Sequence, residues 1–284
     1  MYNKPSALDW SGLAAISDLE DRNWKNTYSV LESHQDEFLS KQDLFRSKEY
    51  KWPKDALRNW SRIWEYPYVY NHIRAWITRN SLAMPHVVDF GSGVTFFPFS
   101  LADLGCWVTC TDIDPIGEID ISRAAKHLAL GGARVQFRLA TQDSLPFKDG
   151  EADLVYSVSV IEHIPDFEKS ITEIARILKP GGLFVLTVDI DLRGDMALSI
   201  EERKRLLAAL TEAFDVSSPA RVIHPRDILT STSTSGLFPL PEPQGARRVW
   251  FDVKQQIIKP ILGRNPVPPS NYFLAVEGFV LKKR

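Results

Sequence analysis

The sequence predicts a doubly wound α/β fold, in which a mostly parallel β-sheet is covered by helices on both faces. Three observations carry this prediction. From His86 onward, short apolar runs bounded by glycine, proline or aspartate alternate with helical segments, as is typical of βαβ units. A glycine-rich segment follows the first of these runs, where a loop can approach a ligand closely. Residues before about 82 show no alternation with a period of two, and they predict helices.

The chain is long enough to bury a substantial core. It has 284 residues, of which 44% are hydrophobic and 25% are charged, so disordered and fibrous classes are excluded. We expect one α/β domain over 83–284, preceded by a helical, aromatic-rich cap over 1–82. We also expect an insertion in the α/β domain at about 225–270.

Charge and cysteine content exclude several function classes. Lys and Arg total 34 against 36 Asp and Glu, so the overall field of the protein will not attract nucleic acid. Cys106 and Cys110 are the only cysteines, too few for a disulfide scaffold or a four-cysteine zinc site. No apolar run reaches the length of a membrane span, and the N-terminus lacks a signal-peptide core. We therefore expect a cytoplasmic protein without an integral membrane segment, of unassigned oligomeric state.

The expected elements follow one another regularly through the α/β domain. The predicted strands are 86–90, 107–111, 134–139, 152–157 and 182–189, with a final strand at 272–281. The predicted helices are 96–104, 117–130, 166–178 and 199–214. Ligands of such a sheet bind at the carboxyl ends of the strands.

The N-terminal region is rich in aromatic residues. The apolar spacing between Leu57 and Trp64 predicts a helix face, which Pro67 interrupts. We expect these aromatics to pack a helical cap onto the main domain. The alternative is that a tyrosine of this segment lines a substrate pocket, and the candidates are Tyr66, Tyr68 and Tyr70.

A glycine loop and an acidic residue predict a nucleoside site. Asp89-Phe-Gly-Ser-Gly93 ends a predicted strand and opens into a helix, so its glycines allow close approach of a ligand. Asp112 ends the next strand, where a carboxylate can accept hydrogen bonds from both ribose hydroxyls. A dinucleotide site requires a third glycine, but here Val94 follows Gly93. The loop therefore favours a nucleoside cofactor without a pyrophosphate.

Five motifs in order resemble the class I S-adenosylmethionine-dependent methyltransferases. They are Asp89-Phe-Gly-Ser-Gly93, Leu145-Pro-Phe147, Ala152-Asp-Leu-Val155, Glu162-His163 and Leu178-Lys-Pro-Gly-Gly182. The resemblance covers about 85–190 and, more loosely, the C-terminal strand. It implies a Rossmann-like, seven-stranded, mostly parallel sheet and S-adenosylmethionine as the cofactor, but it does not indicate the acceptor.

The resemblance also implies roles for individual residues. The loop Gly91-Ser92-Gly93 would pass beneath the methionine part of the cofactor, while Asp89 would orient the loop or meet the amino group through water. Asp112 would hold the ribose, and Ile113 would face the adenine. Ser157 would lie beside the transferring methyl group, at the end of the fourth strand.

The adenine edge departs from the family pattern. The family has an acidic residue four positions before Leu-Pro-Phe, where this chain has Thr141. Gln142 or Asp143 is therefore expected to contact the adenine amino group instead.

Two residues are candidates for catalysis. His163 is either a general base, because the pKa of histidine lies near neutrality, or a structural residue of the strand-to-helix turn. Asp189 ends the fifth strand, where it is expected to position or deprotonate the acceptor; the alternative is a solvated loop acid. Asp189 and Asp191 together could bind a divalent ion, but no second ligand cluster is identifiable, so we expect no metal. His224 could reach the same pocket, although a lone histidine is more often a packing residue.

These features predict a methyltransferase that acts on a small-molecule or glycan-type acceptor, with transfer to oxygen. Two alternatives are a nicotinamide-dependent oxidoreductase and a non-catalytic S-adenosylmethionine-binding protein. The missing third glycine opposes the first alternative, and the intact loop with Asp112 opposes loss of cofactor binding. Residues 220–284 hold ten Lys or Arg against four Asp or Glu, which favours an anionic acceptor.

One basic amphipathic segment stands apart from these motifs. In 247–264, apolar residues recur at helical spacing and basic residues occupy the polar positions. We expect a surface helix of the fold; the alternative is peripheral contact with a membrane or with an anionic substrate.

Overall fold

A computed structural model describes residues 8–129, 131–192, 197–233, 245–261 and 273–284. The strands in these ranges are β1 (Gly12–Leu13), β2 (His86–Phe90), β3 (Trp107–Asp112), β4 (Val135–Leu139), β5 (Ala152–Val158), β6 (Leu178–Asp191), β7 (Phe214–Val216) and β8 (Leu274–Lys283). They form one sheet in the order β1-β8-β6-β5-β2-β3-β4, with β7 also paired to β8. β2 to β6 are mutually parallel, whereas β8 is antiparallel to β6. The short strands β1 and β7 share the seventh position, since they pair with successive parts of β8.

Helices cover both faces of this sheet. The α-helices of the described ranges are α1 (Arg22–Ser40), α2 (Arg62–Asn80), α3 (Phe97–Asp103), α4 (Pro115–His127), α5 (Phe167–Ile177), α6 (Ile200–Ala213), α7 (Ala246–Val253) and α8 (Lys259–Ile261). Successive side chains of β2 point to opposite faces of the sheet and belong to two separate cores. Val87 packs with α1 to α4, and Val88 packs with α5 and α6. The predicted doubly wound, seven-stranded, mostly parallel fold is therefore confirmed.

Two details of the N-terminal region differ from the prediction. Residues Gly12–Leu13 form β1 rather than a helix, because they pair with Gly278 and Glu277 of β8, and two residues are too few to show an alternating pattern. The predicted helix face from Leu57 to Trp64 is also wrong. Helix α2 begins only at Arg62 and continues through Pro67 to Asn80.

Trp24 explains why Pro67 does not interrupt α2. Proline has no N–H, so Pro67 cannot donate to the carbonyl of Ile63 one turn earlier. The indole Nε1 of Trp24 donates to that carbonyl at 2.9 Å. A side chain of α1 thus replaces the missing backbone donor, and the helix passes the proline with this carbonyl paired.

Helix α2 packs directly on the sheet. Trp64 and Tyr68 stack with ring centroids 4.4 Å apart, and both lie against Gly278 of β8. A Cβ at Gly278 would come within 2.6 Å of Tyr68 and 2.9 Å of Trp64, so only glycine leaves room for the two rings. This contact holds α2 at the carboxyl edge of the central strands.

The predicted insertion at 225–270 is described only in part. Within it, residues 225–233 and 245–261 have described structure, while 234–244 and 262–270 lie outside the described residues. The final strand was expected at 272–281 and is found at Leu274–Lys283. The boundaries of the insertion stay a prediction.

Among the described helices, none combines the length and apolarity that crossing a lipid bilayer requires.

The pairing of Trp24 with Ile63 is testable by a double-mutant cycle. We expect Trp24→Phe to lower the free energy of unfolding by about 1–3 kcal/mol, since a helix carbonyl loses its donor. In a Pro67→Ala background the backbone N–H returns, so the same substitution should cost measurably less. Urea unfolding of the four proteins gives the coupling, and equal costs in both backgrounds would contradict the compensation.

Candidate functional site

The glycine loop follows β2 and is anchored to β3. The backbone N–H groups of Gly91 and Ser92 donate to the Thr111 carbonyl at 2.9 and 3.1 Å. Gly91 and Gly93 adopt φ of 73° and 52°, values that glycine tolerates and other residues rarely adopt. A Cβ at Gly91 would lie 2.5 Å from a methyl group of Val160. The loop therefore has the backbone conformation that its glycines allow, and Gly91 packs against Val160 where a larger residue would not fit.

Asp112 is held rigidly at the end of β3. Its Oδ2 accepts the N–H of Gly93 at 3.0 Å, and its Oδ1 accepts the N–H of Asp114 at 3.0 Å. Each carboxylate oxygen has a further lone pair, and the side chain of neighbouring Ile113 is 58% exposed. A fixed carboxylate beside an uncovered apolar side chain suits a ribose and its attached base.

A small cavity lies beside the glycine loop at the carboxyl ends of β2 and β5. Its lining residues are Tyr66, Asp89, Gly91, Ser92, Thr95, Phe97, Tyr156 and Val158. Tyr66 comes from α2, so one of the three candidate tyrosines does line this cavity. Tyr68 instead packs against Gly278, and Tyr70 stacks under the guanidinium of Arg74 at 5.8 Å.

Asp89 is buried at the base of this cavity. Burial, together with the nearby charge of Asp112, raises the pKa of Asp89 to about 8. A cationic ligand would favour the ionised carboxylate. A positively charged ligand in this cavity would therefore lower the pKa of Asp89.

The segment that closes over the glycine loop was not identified from the sequence. The hydroxyl of Tyr50 accepts the N–H of Val94 at 3.1 Å, and Arg46 donates to the Val94 carbonyl at 3.3 Å. The guanidinium of Arg46 also lies 4.6 Å from the centre of the Tyr50 ring. Neither Tyr50 nor Arg46 belongs to a sequence motif, so their position over the glycine loop could be found only from the structure.

The expected adenine edge is a loop closed on itself. Thr141 and Ser144 exchange backbone and side-chain hydrogen bonds, with the N–H of Ser144 donating to Thr141 Oγ1 at 3.1 Å. The side chains of Gln142 and Asp143 are exposed. The Thr141 side chain is thus engaged in hydrogen bonds within the loop. The exposed side chains of Gln142 and Asp143 are accessible to a ligand.

Ser157 does not reach the cavity. Its side chain is fully buried, whereas the flanking Tyr156 and Val158 both line the cavity. Because successive strand residues point to opposite faces, the Ser157 hydroxyl lies on the other side of the sheet. The Ser157 side chain therefore does not line this cavity, and its contact with the cofactor stays a prediction.

A buried carboxylate connects α2 to the ends of two strands. Glu65 is fully buried, and its Oε1 accepts hydrogen bonds from Ser159 at 2.7 Å and from Thr187 at 2.6 Å. Its Oε2 forms a salt bridge with Arg62. Charged acceptors with several donors make strong hydrogen bonds, so Glu65 fixes α2 beside the cavity.

Two more carboxyl groups lie beside this network. The backbone N–H of Asp189 donates to Glu162 Oε1 at 3.0 Å, which joins the end of β6 to the turn after β5. Glu162 Oε2 and Asp189 Oδ1 are buried and have no hydrogen-bond partner among the described residues. Burial, with the charge of Glu65, raises the pKa of Glu162 to about 7 and raises the pKa of Asp189 well above its usual range. The pair therefore holds a proton near neutral pH.

His163 is exposed and lies outside this pair. Its imidazole makes no side-chain hydrogen bond to a described residue, while its backbone N–H donates to the Val160 carbonyl at 3.0 Å. Partial desolvation and the charge of Arg62 lower the pKa of His163. Within the Glu162-His163 motif, the glutamate rather than the histidine holds the neighbouring strand.

The remaining sequence candidates have other contacts. His224 is exposed, and its Nδ1 accepts the N–H of Arg226 at 3.2 Å, so it caps a turn. Asp191 is buried at the end of β6. Within the ranges that the structure describes, no three His, Cys, Asp or Glu side chains are grouped for metal binding.

Comparison with known proteins identifies the domain. Residues 88–186 match the family described as "Methyltransferase domain". The ubiquinone biosynthesis O-methyltransferase of Rhizobium leguminosarum bv. trifolii is 29% identical over 152 residues, or 53% of this chain and 58% of that protein. This chain contains a class I S-adenosylmethionine-dependent methyltransferase domain. S-adenosylmethionine is the methyl donor of that family, so the predicted family and cofactor are confirmed.

Other relatives act at different atoms. The ubiquinone biosynthesis O-methyltransferase of Bordetella pertussis is 28% identical over 188 residues, which cover 64% of this chain and 73% of that one. The sterol 4-C-methyltransferase of Caenorhabditis elegans is 32% identical over 102 residues, which cover 36% and 30%. The chain thus spans 58% and 30% of the Rhizobium and Caenorhabditis proteins. Methylation of oxygen and of carbon both occur among these relatives.

Two solved structures share the fold of this chain. The [4+2]-cyclase SpnF has a TM-score of 0.51 and 14% identity, covering 91% of this chain and 94% of that one. The MccD protein has a TM-score of 0.50 and 14% identity, covering 75% and 96%. At this identity the likeness extends to the fold alone.

The site residues fit S-adenosylmethionine. Gly91 and Gly93 adopt backbone conformations that glycine tolerates, Asp112 is aimed by two backbone N–H groups, and Asp89 is a buried acid whose ionised form a cation would stabilise. Gly91 and Gly93 would lie beneath the methionine part and Asp112 at the ribose. The bound cofactor supplies an electrophilic methyl group.

We expect Asp112→Ala to weaken binding of S-adenosylhomocysteine by roughly tenfold to hundredfold. The substitution removes the ribose acceptor and also releases the Gly93 N–H. Asp114→Ala is the matched control, because Asp114 caps the N-terminus of α4 through Ile116 and should affect stability rather than affinity. Calorimetry on both variants decides; equal affinity of Asp112→Ala and the unmodified protein would remove Asp112 from the site.

The second prediction concerns the number of protons that Asp89 releases when the cofactor binds. Because burial raises the pKa of Asp89 to about 8, Asp89 is mainly protonated at pH 7. A cationic ligand lowers that pKa, so binding of S-adenosylmethionine should release close to one proton. Titration calorimetry in buffers of different ionisation enthalpy measures this number. Asp89→Asn should abolish the release, and an unchanged release in that variant would assign it to another group.

Proposed function

We propose that this protein transfers a methyl group from S-adenosylmethionine to an oxygen atom of a small-molecule or glycan-type acceptor. The observation that carries the proposal is the carboxyl pair Glu162 and Asp189, in which two oxygens are buried without a hydrogen-bond partner among the described residues. Glu162 is connected to the cofactor loop through a neighbour in the chain. Val160, two residues before Glu162, packs directly against Gly91.

The acceptor chemistry favours this arrangement. A hydroxyl group is a weak nucleophile until a base removes its proton, and a general base works best when its pKa is near the working pH. Burial raises the pKa of Glu162 to about 7 and raises the pKa of Asp189 well above its usual range. A hydroxyl acceptor must lose its proton during transfer, so a buried carboxyl pair supports oxygen as the methylated atom.

In this proposal, Asp189, Glu162 and Arg62 have different roles. Asp189 accepts the proton of the acceptor hydroxyl, and Glu162 holds the Asp189 backbone in place through its N–H. Arg62 offsets the negative charge of the group from its salt bridge with Glu65. Alignment of acceptor and methyl group supplies most of the acceleration, because holding two reactants in line removes the entropy cost of their encounter.

The acceptor is proposed to enter between α2 and the carboxyl ends of β5 and β6. Tyr66 from α2 lines the cavity, which supports a role for the N-terminal cap over 1–82 in selecting the acceptor. The predicted insertion at about 225–270 is proposed to complete that side. The basic surplus of 220–284 supports an anionic acceptor, such as a phosphorylated saccharide.

The first test is a screen of hydroxylated small molecules and saccharides, with release of S-adenosylhomocysteine as the readout. On the acceptor so found, we expect Asp189→Asn to lower kcat by about 100-fold or more while cofactor affinity is preserved. His163→Gln should stay within a few-fold of the unmodified enzyme, since that imidazole is exposed. A collapse of single-turnover rates in His163→Gln, with Asp189→Asn near normal, would make the histidine the base.

The pH profile tests the same assignment independently. A base must be ionised to act, and the pKa of Asp189 is raised well above its usual range, so kcat should rise with pH as the carboxyl pair loses its proton. Glu162→Gln should move the midpoint of this rise downward, because Asp189 then loses the neighbouring negative charge that raises its pKa. A profile that is flat between pH 5 and 9 would rule out a carboxyl base.

A further inference from the structure

The segment 246–261 exposes large apolar side chains. It comprises α7, a π-helical turn over Lys254–Ile258 and α8. Val249 and Trp250 are each 64% exposed, Ile257 is 53% exposed and Ile261 is 78% exposed. A surface helix of a globular protein normally turns such residues toward the core. Here they point to solvent, so the segment does not follow the expectation of a helix packed through its apolar side.

These exposed residues share one side of the segment. Trp250, Ile257 and Ile261 recur at intervals of about two turns and one turn, with half-buried Val253 between them. A contiguous apolar stripe on a solvated helix marks a surface that contacts another body. The stripe combines one indole with branched aliphatic chains, the combination that favours the boundary between lipid headgroups and acyl chains.

The charge of the segment identifies the kind of partner. The sequence of 246–261 contains Arg247, Arg248, Lys254 and Lys259 against the single acid Asp252, although the chain as a whole carries a net charge of -2. Anionic lipid surfaces attract such basic segments. A second copy of this chain would instead bring two basic segments together, and a nucleic acid would leave the apolar stripe uncovered.

We propose that segment 246–261 docks on the surface of an anionic phospholipid membrane. The stripe of Val249, Trp250, Ile257 and Ile261 inserts at the headgroup boundary, and the net positive charge of the segment is attracted to the lipid phosphates. The segment lies parallel to the membrane and does not cross it, which agrees with its length of about four turns. The proposal is independent of the acceptor, since membrane binding is measured without turnover.

The test is co-sedimentation of the full chain with vesicles. One set contains phosphatidylglycerol and phosphatidylcholine in equal amounts, and the other contains phosphatidylcholine alone. We expect binding to the anionic vesicles, weaker binding as salt is raised, and at least tenfold weaker binding to the neutral vesicles. Trp250→Ala combined with Ile257→Ala should reduce the affinity for anionic vesicles at least tenfold.

Two matched controls separate the segment from general surface effects. Trp52 is 62% exposed elsewhere on the surface, so Trp52→Ala should leave vesicle binding unchanged. Lys254→Glu with Arg247→Glu should weaken binding, whereas Lys204→Glu with Lys169→Glu, both on other exposed sites, should not weaken it to the same extent. Affinity for S-adenosylhomocysteine, unchanged across all variants, verifies that each protein is folded.

Three outcomes would overturn the proposal. The first is absence of binding to the anionic vesicles at low salt. The second is binding that Trp250→Ala with Ile257→Ala leaves intact. The third is a dimer in solution that the same double variant dissociates, which would make a second copy the occupant of the stripe.

Discussion

The buried carboxylate of Glu65 is the interaction on which the site depends. It accepts hydrogen bonds from Ser159 after β5 and from Thr187 in β6, and it pairs with Arg62 on its own helix. Removing one partner from such a group leaves a buried charge without compensation, which typically costs 3–5 kcal/mol. Ser159 also adopts a φ of 47°, a backbone conformation that costs energy outside glycine. The network around Glu65 holds this strained residue at the edge of the cavity.

The same carboxylate couples the shape of the site to its electrostatics. Tyr66 follows Glu65 in α2 and lines the cavity. Any shift of α2 therefore moves both the Tyr66 ring that lines the cavity and the Glu65 carboxylate. The charge of Glu65 raises the pKa of Asp189, while that of Arg62 opposes the rise. The N-terminal helix therefore contributes to the acid–base chemistry of a site whose recognisable motifs all lie after residue 86.

The fold and the cofactor loop were predictable because they follow from local sequence patterns. Features that depend on contacts between distant segments were not predictable. The strands β2 to β5, the loop Gly91 to Gly93 and Asp112 follow from periodicity, glycine spacing and strand ends. Pro67 misled the prediction because its missing donor is replaced by Trp24, which lies in another helix. Glu65 carries no motif; its role is visible only once Ser159 and Thr187 converge on it.

The Glu162-His163 motif shows that residue type alone can indicate the wrong residue as the acid–base group. Histidine is the usual candidate for acid–base work because its ordinary pKa lies near 7, but burial brings Glu162 to a similar pKa while His163 stays exposed. Glu65, Glu162 and Asp189 together face one arginine, Arg62, so their full ionisation would leave excess negative charge in a buried place. At neutral pH the group relieves that excess by keeping a proton. The acid–base character of the site thus comes from three buried carboxyl groups that share one arginine, and not from the histidine of the motif.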